Sequence, residues 1–328
     1  MTSTRPPVDT AVGTADGEVR RGTLYGFLAY GIWGLFPLYF AALEPSGAWE
    51  ILAHRILWTL AFCAVVLLVR RDLGWIRPFL ARRRLVAGIT VAAFLIAGNW
   101  VIYVLAVITG RTYEAALGYF LNPIVTVALG VVVLRERLRP LQWVAVAVGA
   151  VAAVYLTVAG GVLPWISLTL AFSFGLYGLV KKKVGASLEA MHSLAAETGV
   201  LAPVAVVVLV VLAASGSTTF AGHGAPHTAL LVLSGVVTAV PLLLFAAAAR
   251  RIPLVTVGLI QFVTPVLQLL VGVTVLGEHV SARLWAGFGI VWVALLILTV
   301  DSLRTARSAR AQRRAPPVDG ELSPEPIP

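Results

Sequence analysis

The stretch Phe120-Leu121-Asn122-Pro123-Ile124-Val125-Thr126-Val127-Ala128-Leu129-Gly130 returns 142 residues later as Phe262-Val263-Thr264-Pro265-Val266-Leu267-Gln268-Leu269-Leu270-Val271-Gly272. The register continues without a gap, pairing Leu134 with Leu276, Glu136 with Glu278 and Trp143 with Trp285. Both copies lie in long apolar runs. A duplicated block of membrane helices is a common way to build a transporter, with the solute site between the copies.

Outward from this stretch the composition agrees. The 328 residues are 59% hydrophobic and 12% charged, with mean hydropathy +0.92, whereas soluble domains carry about 25% charged residues. Apolar runs near 23–43, 49–69, 85–107, 115–134, 140–159, 163–180, 192–214, 228–249, 253–276 and 282–300 each approach the roughly 20 residues a helix needs to cross hydrocarbon. They are continuously apolar rather than alternating, which argues against strands, and a helix satisfies its own backbone in lipid. The expected fold is therefore all-α and integral to the membrane. It has ten transmembrane helices in two inverted five-helix repeats, 23–159 and 163–300, with disordered cytoplasmic tails at 1–22 and 301–328. The first apolar run is too long for a removable signal peptide. A single Cys63 excludes a disulfide framework and a thiolate metal site.

The net charge of +10 would suggest nucleic acid in a soluble protein. Here the arginines sit in short loops between apolar runs, so membrane orientation explains them and no nucleic-acid partner is expected. With the N-terminus inside, 22 of the 25 Lys and Arg fall on the cytoplasmic side, leaving Arg55, Arg111 and Arg283 toward the outside. Such a bias places both termini in the cytoplasm of a multi-pass inner-membrane protein. Five helices per repeat, an odd number, then invert one copy relative to the other. Arg135, Arg137 and Arg139 after the first copy become Gly277, His279 and Ser281 after the second, as expected of one motif on opposite faces.

Polar groups that persist in hydrocarbon are functional candidates. Glu50 and His54 are spaced i, i+4 with Arg55 beside them; such a group could bind a zwitterion, relay protons or gate, or simply anchor a helix end by ion pairing and snorkelling. Asn99 and Tyr103 share a face next to Trp100, which offers hydrogen bonds beside an aromatic surface or a plain interhelical bond. Tyr119, Asn122 and Pro123 are mirrored by Gln261, Thr264 and Pro265. Proline frees a backbone carbonyl, and matched helix breaks in both copies point to a central site or to packing kinks. Glu197 lies 142 residues after Arg55 and reads as a proton carrier or as a carboxylate with a donor near the cytoplasmic face. Glu136 and Glu278 end their spans and are expected to pair with arginines or face water. His223 and His227 have a zinc-compatible spacing but no third ligand in reach, so no metal is expected. No Walker-type loop is present, and no cofactor is implied.

Trp33-Gly34-Leu35-Phe36-Pro37, Glu50-Ile51-Leu52-Ala53-His54-Arg55, Asn99-Trp100, the run Glu114 to Pro123, Ser173-Phe174-Gly175-Leu176-Tyr177-Gly178-Leu179, Thr238-Ala239-Val240-Pro241-Leu242 and Gln261-Phe262 together resemble the RarD family, in the EamA branch of the drug/metabolite transporter superfamily. The resemblance covers about residues 22–301. It departs at Ala41, where the family carries Lys, and at Ile108, where Asn is frequent. It implies two inverted five-helix bundles around a central cavity that opens to one side at a time. Together with the residues, it yields a secondary transporter for a small organic solute, not an enzyme. Trp33, Trp100, Tyr103, Tyr119 and Tyr177 would line the cavity, Asn99, Asn122 and Gln261 would orient the solute, and Glu50, His54, Arg55 or Glu197 would couple protons or gate. An integral-membrane scaffold or a lipid-acting protein is the alternative. The partners are the solute and the bilayer, and the chain reads equally as a monomer or a homodimer.

Overall fold

The computed structural model describes residues 8–135, 138–160, 163–184, 188–252, 256–257 and 260–314. Twelve helices carry the architecture among these residues: α1 (Val8–Gly34), α2 (Phe36–Ala41), α3 (Ala48–Val69), α4 (Ile76–Ala81), α5 (Arg83–Ile108), α6 (Thr112–Leu134), α7 (Pro140–Gly160), α8 (Trp165–Val184), α9 (Ala190–Ala214), α10 (Gly224–Ala249), α11 (Val263–Thr274) and α12 (Ala282–Arg314). Eight of them are long and apolar enough to cross a bilayer, and two shorter apolar helices occupy Trp165–Lys181 and Val263–Thr274. The chain is a multi-pass membrane protein.

Four expectations about helix extents change. Residues 8–22, read as tail, are helical; Glu18 binds Arg21 one turn on at 3.4 Å and Arg251 at 2.9 Å, and these i, i+3 and tertiary contacts support a polar first segment. Residues 301–314 continue α12, because the Arg- and Ala-rich sequence keeps good helix formers until Pro316. The run expected as one helix over 253–276 turns at Gln261–Phe262, and α11 begins only at Val263.

The first apolar run also breaks, at Gly34–Leu35, before α2. Pro37 has no N–H, so the Trp33 carbonyl loses its partner four residues on. Gln268 repairs this from α11, donating Nε2–H to the Trp33 oxygen at 3.2 Å, and Thr264 Oγ1 donates to the Tyr30 carbonyl at 2.7 Å. The bend seats against α11 closely: a Cβ on Gly34 would lie 2.7 Å from Leu267.

Packing follows the sequence repeat. α3 packs on α9, α6 on α11 and α7 on α12, each helix against its own counterpart. The remaining main contacts come in exchanged pairs. α5 with α8 is matched by α10 with α1, α6 with α8 by α11 with α1, and α3 with α10 by α9 with α5. The opening helix of each half thus packs on the third and fourth apolar runs of the other half. Small residues permit the closest crossings. A Cβ on Gly235 of α10 would sit 2.3 Å from the Trp58 carbonyl carbon of α3, and one on Gly118 of α6 would sit 2.8 Å from the Ser167 oxygen of α8.

Candidate substrate site between the halves

A helix turns by about 100° per residue, so Arg55 leaves α3 on a different face from Glu50 and His54. That face is the interior one. Arg55 is 3% exposed. Its Nε donates to Thr238 Oγ1 of α10 at 2.8 Å, and its guanidinium carbon lies 4.3 Å from the Trp100 ring centroid, 5.2 Å from Phe40 and 5.4 Å from Phe36. Nη1 is enclosed without a hydrogen-bond partner. Cation–π attraction reaches about 2 kcal/mol per desolvated pair, while an unneutralised buried ion costs several kcal/mol. The rings soften the burial of this charge without cancelling it.

From Arg55 a row of aromatic side chains crosses the interior. Phe36 meets Phe40 at 5.4 Å, Phe40 meets Tyr103 at 5.8 Å, Tyr103 meets Tyr119 at 5.7 Å, Tyr119 meets Phe174 at 6.3 Å and Phe174 meets Tyr177 at 6.0 Å. All five pairs are tilted or edge-on, away from the face-to-face sandwich that ring quadrupoles disfavour. The Tyr103 hydroxyl is buried and unpartnered. Asn99 is fixed beside the row: its Nδ2 donates to the Leu170 carbonyl at 3.1 Å and to Ser173 Oγ at 3.0 Å, while its Oδ1 accepts from the Tyr119 hydroxyl at 3.3 Å.

The far end of the row is Glu197, the repeat counterpart of Arg55. Tyr177 donates its hydroxyl to Glu197 Oε2 at 3.2 Å, Lys181 Nζ reaches Oε1 at 2.6 Å, and Ser193 Oγ donates to the same oxygen at 3.0 Å. Lys181 also donates to Ser193 Oγ. Equivalent places in the two halves therefore hold a buried cation without a carboxylate and a buried carboxylate with its cation.

The other expected residues divide. Glu50 and His54 do not join Arg55. Glu50 binds the α9–α10 loop, accepting from the Thr219 amide at 2.7 Å, Thr218 Oγ1 at 2.8 Å and Thr219 Oγ1 at 2.9 Å. His54 stacks on Phe220 at 4.6 Å and accepts from Trp58 Nε1 at 3.2 Å. Trp33 sits with Tyr30 at 5.3 Å and Phe245 at 6.0 Å, in a separate aromatic group. Asn122 is half-buried and accepts from Thr126 Oγ1 at 3.4 Å; Gln261 is half-buried in the turn that precedes α11. The prolines are unequal rather than matched. Pro123 lies inside a continuous α6, whereas Pro265 falls in the first turn of α11, where a missing N–H leaves no gap.

Glu278 corrects its expectation most. It is 8% exposed and pairs with no arginine among the described residues; its two carboxylate oxygens accept the Thr112 and Tyr113 amides at 2.7 and 2.9 Å. It caps α6, whose own N-cap residue, Arg111, makes no side-chain capping bond. Glu136 lies outside the described residues. His227 bonds Ser46 Oγ and Thr219 Oγ1 at 2.9 and 3.0 Å, and among the described residues no group of three or more metal-ligating side chains forms.

Sequence reading missed Thr238, Phe40, Phe174, Lys181 and Gln268 as parts of this interior. Gln268 was legible, since a lone amide in an apolar run obeys the rule that singled out Asn99. Lys181 was counted only as a loop charge, and nothing in the sequence separates Phe40 from a packing phenylalanine.

Comparison with known proteins now bears on this geometry. The EamA-like transporter family matches residues 20–158 and again 163–300. "Protein RarD" of Streptomyces exfoliatus is 50% identical over 301 residues, covering 92% of this chain and 95% of its own length. "Uncharacterized transporter YojE" of Bacillus subtilis is 39% identical, covering 90% and 98%, and "Protein RarD" of Escherichia coli is 38% identical, covering 88% and 97%. A solved crystal structure superposes with TM-score 0.55 at 17% identity, over 86% of this chain and 98% of that one, a likeness of fold alone.

Proposed function

The chain belongs to the EamA-like transporter family, and to RarD within it, and from that membership we propose that it is a secondary transporter of a small organic solute in the bacterial inner membrane. The two shorter apolar helices join the eight long ones to make ten spans, arranged as inverted repeats at 23–159 and 163–300 with both termini cytoplasmic. Alternating access rocks the halves about the interior row of rings. The observation that carries this reading is the row itself. It ends on Arg55 and Glu197, two ionisable groups buried at equivalent places where lipid-facing packing would call for none.

Trp100, Tyr103, Tyr119 and Tyr177 line the path, Asn99 orients the solute, and Trp33, Asn122 and Gln261 contribute as the halves move. Glu197 couples to protons. In one state it holds Lys181; when protonated it releases that lysine and Tyr177 together, which opens one end of the row. The direction we assign is export, driven by an inward proton gradient. Glu50 and His54 gate by holding the α9–α10 loop. The test is flux in proteoliposomes with an imposed pH gradient. Wild type should accumulate or expel solute in step with the gradient, and the Asn99→Ala and Glu197→Gln variants should lose most of that flux. Gradient-dependent flux undiminished in both would reject the assigned site.

A further inference from the structure

We propose that the solute is a monoanion bearing a carboxylate on an aromatic or apolar body, and that it binds with its carboxylate on Arg55. The proposal rests on the transport reading of the same site. Its warrant is an accounting of buried charge. Each buried carboxylate among the described residues is engaged elsewhere: Glu50 by Thr218 and Thr219, Glu114 by Arg111, Glu197 by Lys181, Glu278 by the first amides of α6 and Asp301 by Arg139. Arg55 is left with one hydroxyl acceptor at 2.8 Å, three aromatic rings and an enclosed Nη1 without a partner. A guanidinium has five donors in a planar fork that matches a carboxylate in two parallel bonds. The Tyr103 hydroxyl, also buried and unpartnered, belongs to the same aromatic row and offers a further donor.

The charge count selects the class. Among the described residues a single cation faces the row at this end, so a monocarboxylate neutralises it, whereas a phosphate dianion would leave a buried negative charge and a protonated amine would double the positive one. Phe36, Phe40, Trp100 and Tyr119 supply ring faces and edges for the body of the solute. Glu50, His54 and Glu197 are tied to other elements and do not compete for the guanidinium.

The test uses the full chain purified in uncharged detergent, with phenylacetate, phenylacetamide, phenethylamine and inorganic phosphate as probes at matched concentration. Phenylacetate should raise the midpoint of thermal unfolding saturably and bind about tenfold or more tightly than its amide. Phenethylamine and phosphate should leave the midpoint in place. Arg55→Gln should melt no lower than wild type without ligand, because it removes an unneutralised charge, and should lose the phenylacetate shift. Arg55→Lys should keep a weakened one. An amide or amine as effective as phenylacetate, a shift that survives in Arg55→Gln, or no shift with phenylacetate in wild type each overturns the proposal; the wild-type comparison decides it even if the variant does not fold. Flux separates it from the transport reading. If phenylacetate binds through Arg55 yet never crosses proteoliposome membranes, the anion site stands and transport falls. If only neutral or cationic probes cross, indifferent to Arg55, transport stands and the anion site falls.

Discussion

Glu278 takes up the first two amides of a helix that starts 166 residues earlier in the chain. Charge-assisted bonds at a helix N-terminus satisfy donors that have no intrahelical partner. Glu278→Ala should therefore destabilise the protein by about 1–3 kcal/mol, with Glu278→Gln falling between, and thermal unfolding in detergent measures both. Glu197 gives a second test at this scale. If it carries the proton, Glu197→Gln should flatten the dependence of flux on external pH while leaving solute binding in the thermal-shift assay; a pH profile identical to wild type would remove it from the coupling step. The sequence identified Arg55, Asn99 and Glu197 because ionisable and amide groups stand out in hydrocarbon. It did not show which of them meet. Glu50 and Arg55 are close in number yet leave α3 on different faces, and a carboxylate that caps a distant helix looks in sequence like any loop glutamate.

At the scale of elements, two equivalent helices use their third residue to hold a loop of the other half. Glu50 of α3 grips Thr218 and Thr219 beyond α9, and His192 of α9 reaches Asp72 beyond α3 at 2.8 Å while stacking on Trp75. The symmetry of position survives although the chemistry has diverged. The α3–α10 crossing is the tightest test of packing, since Gly235 faces main chain rather than a movable side chain. Gly235→Ala should cost about 1–3 kcal/mol through overpacking, seen as a lower unfolding midpoint, whereas Gly178→Ala, with open space around its Cβ position, should be nearly neutral. Element positions were legible because long apolar runs admit one structure in lipid. The breaks were less so: Pro265 frees the carbonyl of Gln261, where the chain does turn, yet Pro123 leaves α6 continuous, and α2 exists because a proline and a partner amide from α11 act together.

For the whole molecule, the placing of the N-terminus and the start of α12 on opposite faces of the membrane is the sharpest prediction. Cys63 is fully buried, so introduced cysteines can be labelled against a silent background. In intact cells Arg283→Cys should react with a membrane-impermeant maleimide, while Arg21→Cys should react only after the membrane is opened. Equal labelling of both would refute the inverted topology. A different consequence follows from the exchange of first helices, in which α1 packs on α10 and α11 while α8 packs on α5 and α6. During synthesis α1 enters the bilayer long before its neighbours have left the ribosome. Until then its interior face, including Trp33 and the bend that awaits Gln268, is shielded only by lipid or by the insertion machinery. Assembly must close late and across the whole chain, so early truncations should be cleared by quality-control proteases rather than accumulate as stable half-proteins.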